Sequence, residues 1–201
     1  LPVPSFLGEM KSKPAQASIY DLYHLGLQPD FVICRSRTAI DDKRRHTIAF
    51  NTGVKEENII AAPDLDTIYR TPLVFEKQGL TTKIIKTLKL KSRKKSLKQW
   101  ENFVAKIDKA EKEVRIVIVG KYFASGSFAL EDSYVCVIEA IKHAAWSLGI
   151  KPKIQWFDSE KMEDKKQALL TQKELQKYQG IIVPQGWGRR GTEGKIRTIR
   201  L

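Results

Sequence analysis

Residues 86–98 of this chain carry Lys86, Lys89, Lys91, Arg93, Lys94, Lys95 and Lys98 and no acid. Unpaired ionised side chains are not buried, because each forfeits its hydration. The run therefore reads as a solvated linker, and residues 89–96 as the boundary expected between two pieces. Stacking on nucleic acid would call for interleaved aromatic rings, and the run has none before Trp100. Each flanking piece alternates strand, loop and helix, the rhythm of an α/β sheet with ligands at its strand ends. The expected organisation is a partial domain over residues 1–88, a basic linker with a helix over 89–112, and a second partial domain over 113–201.

In the first piece, Ser18 is placed to cap a helix that continues through IYDLYHL and stops at Gly26. FVIC, residues 31–34, reads as a short buried strand, and residues 59–62 as another. Asp41 and Asp42 open a second helix, with acids at its positive end. A helix over residues 66–78 is interrupted at Pro72 and closed by Gly79. Beyond the basic run, Leu97, Trp100, Phe103, Val104 and Ile107 share one helical face. RIVIVG, residues 115–120, reads as a buried parallel strand. A long helix over 133–148 and strands over 153–157 and 180–184 follow, the last running into QGWGRRGTEGK.

The 36 basic against 23 acidic residues leave a net charge of +13, which attracts phosphates on nucleotides, nucleic acid or a membrane surface. A hydrophobic fraction of 42% supports a core and excludes wholesale disorder. No apolar run approaches the ~20 residues that span a bilayer, and LPVPSFLGEM lacks the basic lead of a signal peptide. Cys34 and Cys136 lie far apart, in expected core contexts, without metal-ligand spacing. The expected location is the cytoplasm, with no membrane partner.

In KSKPAQ, residues 11–16, Lys11 and Lys13 can reach one polyanion together, Pro14 stiffens the backbone, and Gln16 offers an amide to a base or sugar. A surface loop with exposed lysines is the plainer reading. Arg35 follows a buried strand and emerges at its C-terminal end. Asp64 and Asp66 read as helix-capping acids, as ligand contacts, or both; a metal site there lacks a third ligand. The glycines of QGWGRRGTEGK let backbone N–H groups turn toward a substrate or an oxyanion, with an ordinary strand-to-helix turn as the alternative. His46 reads as an exposed helical residue, His143 as a packing or capping one, and Cys136 as helix interior without a base. None of them is a catalytic candidate.

Taken in order, KSKPAQ, CRS (34–36), APDLDTIYR (62–70), GKY (120–122), YVCVIEAIKHAAW (134–146) and VPQGWGRRGTEGK (183–195) resemble the CTP synthase family over nearly the whole chain. The resemblance implies an interior portion of that enzyme. It would hold the last part of a P-loop-type, Rossmann-like synthetase sheet, a helical linker, and the start of a flavodoxin-like class I glutamine amidotransferase sheet. The implied parent reaction is the ATP-dependent amination of UTP to CTP, with ammonia from glutamine. By the same match Lys11, Ser12, Lys13, Pro14, Ala15, Gln16 and Thr47 fall where UTP binds, or CTP as feedback inhibitor. Arg35, Pro63, Asp64 and Leu65 fall at ATP, and Gly186 and Trp187 at glutamine. Arg190, Gly191 and Glu193 fall in the loop that responds to GTP, the allosteric activator.

Four positions depart from the family pattern: Ala15 stands for a threonine, Ala17 for a histidine, Thr47 for a lysine and Gln185 for a glycine. No catalytic or metal-ligating residue is assigned in this chain. The cysteine nucleophile, with a histidine and a glutamate, is expected after Leu201, and the ATP phosphate loop and Mg2+ carboxylates upstream. The chain alone is thus expected to be inactive, and the full-length parent to be a homotetramer. Two other classes stay open: an inactive regulatory or scaffold protein of the same descent, favoured by the four departures, and a basic nucleic-acid-binding protein, resting on charge alone.

Overall fold

The computed structural model describes residues 1–5, 8–92, 96–121, 124–125, 128–129, 134–164 and 171–201. Arg93, Lys94, Lys95, Tyr122 and Ser133, which figure in the readings above, lie outside the described residues. The chain forms two compact units, Leu1–Glu101 and Asn102–Leu201. The boundary falls inside a helix, Lys98–Asp108, rather than within the basic run.

The first unit is built on a parallel pair, β1 (Val32–Ser36) and β2 (Ile59–Pro63), in register Val32 with Ile59 through Ser36 with Pro63. Two helices, α1 (Lys13–His24) and α2 (Asp42–Thr52), accompany this pair. Ile19, Cys34, Ile48 and Ile59 close a core with Met10, Ile40, Val54 and Ala61. Asp41 caps α2 by accepting the Arg44 N–H, and Gly53, at φ 72°, ends it in the left-handed conformation. Tyr20 and Tyr23 of α1 donate their hydroxyls to the Asn51 and Thr52 carbonyls of α2, the second at 2.6 Å.

α1 starts five residues before the expected Ser18 cap. Pro14 sits in its first turn, where a missing N–H costs nothing and a preset φ favours the helix. Ser18 instead donates its hydroxyl to the Pro14 carbonyl at 3.1 Å. Pro72 likewise begins a helix rather than interrupting one: a 3-10 turn at Ile68–Arg70 leads into α3 (Thr71–Lys77). A helix absent from the sequence reading, α4 (Leu80–Thr87), follows Gly79. α5 (Lys98–Asp108) then places Trp100 in the first unit, its indole N–H donating to the Tyr69 carbonyl at 2.7 Å.

The second unit centres on β3 (Lys112–Gly120). The hairpin strands β4 (Ala124–Ser125) and β5 (Phe128–Ala129) and helix α6 (Val135–Ser147) follow. β6 (Ile150–Asp158) and β7 (Gly180–Ile182) flank β3 in the order β6–β3–β7, all parallel. Val117, Ile118 and Val119 are fully buried, as the unbroken apolar run requires of a strand covered on both faces. Val117 and Val119 meet Met162 and Leu175, whereas Ile118 meets Tyr134 with Val137, Ile138 and Ile141 of α6. A last helix, α7 (Thr192–Ile199), follows the glycine-rich loop, as the strand-to-helix alternative expects. Cys34 is buried as expected, but Cys136 is exposed, because α6 turns it away from the sheet. His143 packs edge-on against Phe103. No described helix is long and apolar enough to cross a membrane.

Candidate functional site

Three clusters hold the residues singled out in the sequence. The first is the start of α1. Lys11 lies just before the helix, Lys13 is its first residue, and Gln16 donates its side-chain amide to the Ser12 hydroxyl at 3.1 Å. Aligned N–H groups and two lysines give this end a positive character. Lys11 already donates to Glu9 at 2.6 Å, however, so part of its charge is answered within the chain.

Arg44 organises this cluster. Its guanidinium donates to the Met10 carbonyl at 2.7 Å and to Glu9 at 2.8 Å, and also meets Asp41. Thr47, one turn further along α2, turns its hydroxyl back to the Lys43 carbonyl at 2.7 Å. It lies at helical spacing between Arg44 and Asn51, on the face these two direct toward residues 10–20.

The hydrogen bond from Lys11 and the nearby positive charges hold the Glu9 carboxyl below its ordinary range. The Arg44 backbone N–H and guanidinium do the same for Asp41. Both groups bind protons more weakly when folded, so their contribution is present above the unfolded carboxylate pKa of about 4 and disappears as pH falls through the depressed values. The Arg44 amide resonance is accordingly expected to titrate below about pH 4 together with loss of the Arg44–Met10 link. An amide shift that stays flat between about pH 6 and about pH 2.5 contradicts this.

The second cluster stands at the C-terminal ends of β1 and β2. Arg35 donates to the Ala62 and Pro63 carbonyls, both at 3.1 Å, and to Asp64 at 2.8 Å. The Asp64 N–H donates to the Ser36 carbonyl at 2.9 Å, which continues the ladder past the last register pair. Arg35, Pro63 and Leu65 share a cavity of about 360 Å³ with Ile33, Ile68 and Phe75. That is the lower end of small-molecule pocket sizes, apolar with one cation at its rim. Asp66 pairs with Arg70 at 2.6 Å, so it does not face this cavity as a free carboxylate. Among the described residues no three His, Cys, Asp or Glu side chains group as metal ligands.

The third cluster is the glycine-rich loop after β7. Trp187 is 88% exposed, and Arg190 pairs with Glu160. Gly191, at φ 69°, opens α7, and a Cβ there would stand 2.3 Å from the Ser159 hydroxyl. Glu193 is exposed in the first turn of α7. Gln185, where the family pattern has glycine, needs no left-handed backbone: among the described residues only Lys89 outside glycine has a positive φ. Its carbonyl accepts the Tyr134 hydroxyl at 3.0 Å.

The sequence missed the side chain at the centre of this loop. Lys121 is only 5% exposed. Its ammonium donates to the Trp187 and Gly188 carbonyls and, at 2.8 Å, to the Thr192 hydroxyl. The GKY motif pointed at it, but its partners lie some 70 positions away (|i−j| 66 to 71), beyond any local pattern.

Residues 1–90 match a family model described as "CTP synthase N-terminus". Over 200 residues, 100% of this chain and 35% of the relative, the chain is 41% identical to the CTP synthase of Pyrococcus furiosus. The chain belongs to the CTP synthase family. It is also 41% identical to the CTP synthase of Sulfurisphaera tokodaii, over 96% of this chain and 35% of that one. Against the CTP synthase of Herpetosiphon aurantiacus identity is 40%, over 100% and 36%. The chain thus spans about a third of the length of the CTP synthases it matches. A solved chain titled "Trypanosoma brucei CTPS - glutaminase domain with bound acivicin" aligns with 43% of this chain and 32% of its own at 33% identity. Its TM-score of 0.36 is too low to assign a fold. Because the matching model is that of the N-terminal region, the expectation of an interior portion is corrected: residues 1–90 are assigned to the family's N-terminus.

Proposed function

We propose that this chain supplies the UTP- and ATP-contacting elements and part of the glutamine pocket of a CTP synthase, the enzyme that aminates UTP at the expense of ATP with ammonia from glutamine. In this reading the first unit belongs to the synthetase domain and the second to the class I glutamine amidotransferase domain. The observation that carries it is the meeting of Arg35 with Pro63 and Asp64 at the ends of two parallel strands, beside an apolar cavity. Purine rings suit such a cavity, with a guanidinium able to lie against the ring face. Lys11, Ser12, Lys13 and Gln16, at a helix N-terminus, suit the triphosphate and base of UTP or CTP. Pro14 and Ala15 shape that turn, with Arg44 in place of the lysine that Thr47 lacks. Gly186 and Trp187 would meet glutamine, and Arg190, Gly191 and Glu193 would respond to GTP.

Mg2+ does not fit the residues present, since Asp64 and Asp66 are each tied to an arginine. Its carboxylates would come from elsewhere in the full-length enzyme. Assembly as a homotetramer and a cytoplasmic location belong to the same proposal. The test is calorimetric titration of the chain with UTP, CTP and ATP. The Lys11→Ala/Lys13→Ala double variant is expected to weaken UTP and CTP about tenfold or more while leaving ATP within about twofold. Arg35→Met is expected to do the reverse. Equal losses for all three nucleotides in both variants would discard the assignment of two separate sites.

A further inference from the structure

Lys86, the first lysine of the basic run, belongs to α4 and lines a cavity of about 530 Å³ with Lys83, Lys55, Asp30, Glu57 and Asn58. That volume lies within the range of small-molecule pockets. Asp30 and Asn58 lead into β1 and β2, so the cavity stands at the N-terminal ends of the two strands. It shares no residue with the cavity beside Arg35, which lies at their C-terminal ends, roughly 16 Å along the strands. Lys83 and Lys86 share one face of α4 by their spacing, and the half-buried Lys83 donates its ammonium to the Glu57 carbonyl at 2.5 Å. Asn58 is only 8% exposed. Its side-chain nitrogen donates to the Asp30 carbonyl at 2.8 Å, while its side-chain oxygen accepts nothing among the described residues.

Three ammonium groups and two carboxylates thus line one cavity, and among the described residues none of them forms an ion pair. Elsewhere such groups do close on each other, as Lys11 with Glu9 at 2.6 Å and Lys153 with Glu113 at 2.7 Å. A lone anion in the cavity would leave both carboxylates unanswered, and a lone cation the three ammonium groups. A ligand carrying both signs answers both sets. We propose that the cavity binds a small aliphatic zwitterion. Lys83 and Lys86 take its phosphate or carboxylate, and the Asp30 carboxylate and the Asn58 side-chain oxygen take its amine, through charge-assisted hydrogen bonds at both ends. Lys55 and Glu57 add one charge of each sign and leave that balance unchanged. No aromatic ring lines the cavity, so nothing there offers a nucleobase a stacking face. This assignment is independent of where the nucleotides and glutamine bind.

The test titrates the full chain with O-phosphoethanolamine and with 4-aminobutyrate, each against its anion alone, inorganic phosphate or butyrate. Calorimetry gives the affinities, and the Asn58 side-chain amide resonances report the place. At least one zwitterion is expected to saturate, to move those resonances, and to bind about tenfold or more tighter than its anion alone. The tighter of the two tells a phosphate head from a carboxylate one. Lys86→Met, at an exposed position, should weaken that zwitterion about threefold, and the Lys83→Met/Lys86→Met double variant about tenfold. Asp30→Asn should weaken the zwitterion about threefold or more yet leave the anion alone unweakened, because the carboxylate it removes repels an anion. If the double variant does not fold, having freed α4 from the Glu57 carbonyl, Lys86→Met and Asp30→Asn carry the test. A zwitterion site is excluded if neither zwitterion saturates, if the anion alone binds as tightly, or if Asp30→Asn weakens both alike.

Discussion

Gly194→Ala is expected to destabilise the second unit by roughly 3 kcal/mol or more, and to lower its melting temperature by more than about 10 °C. A Cβ on Gly194 would stand 1.8 Å from the Ser159 carbonyl oxygen and 2.7 Å from its carbon. These are backbone atoms, so no rotamer change opens the space. α7 cannot slide away either: Arg197 donates from the same helix to the Met162 and Glu163 carbonyls at 2.7 and 2.9 Å. The helix must leave the turn after β6, and the loop that Lys121 holds leaves with it. Gly188→Ala is the control. Gly188 also has a positive φ, 80°, but nothing lies within 4 Å of the added Cβ, so only backbone strain of about 1 kcal/mol applies. Thermal unfolding that finds the two variants equally stable would show that α7 does not sit against Ser159.

The second large effect is expected at Gln78. Its side chain behaves as a short third strand on the outer edge of β2. The amide oxygen accepts the Ala61 N–H at 2.7 Å, and the amide nitrogen donates to the Ala61 carbonyl at 2.8 Å and the Val74 carbonyl at 3.1 Å. Ala61 is only 5% exposed, so water cannot replace these bonds. Gln78→Leu leaves a buried donor and a buried acceptor unpaired, at a cost of roughly 3 kcal/mol. Gln78→Glu keeps the acceptor for the N–H but sets a carboxylate against the Ala61 carbonyl. Its loss should shrink at acid pH, where the protonated group donates again. Chemical denaturation of both variants near neutral and acid pH checks this, and a Gln78→Leu loss below about 0.5 kcal/mol refutes the edge role.

The strands were legible from local pattern. β3 announces itself because an unbroken apolar run of that length fits only a strand covered on both faces, and β2 reads the same way; β1, expected to be buried, alternates instead, with Ile33 half exposed, because one of its faces is left open. Helix starts were less legible. Pro14 and Pro72 both read as stiffening or interruption, yet each sits in a first helical turn, where the same ring favours the helix. Among the site residues, the convergence of Arg35 on Pro63 and Asp64 followed from two strands ending together. Arg44 did not stand out, because neighbouring basic residues share its composition and only the fold shows which one turns toward Met10.

By itself the sequence determined the two α/β pieces, the places of the strands and the family, since periodicity, apolar runs and ordered motifs are properties of neighbouring residues. Only the tertiary structure decided that Lys121 and Gln78 are anchors and that Gly194 must be glycine. Lys121 reads locally as another of 36 basic residues and Gln78 as a helix end. Their distant partners are backbone groups 17 to 67 positions away and the Thr192 hydroxyl at 71, and the spacing that forbids a Cβ at Gly194 is to a strand-end turn 35 positions earlier. Hydrogen bonds and steric exclusion act over ångströms in space, and no local pattern records which distant backbone atoms arrive there.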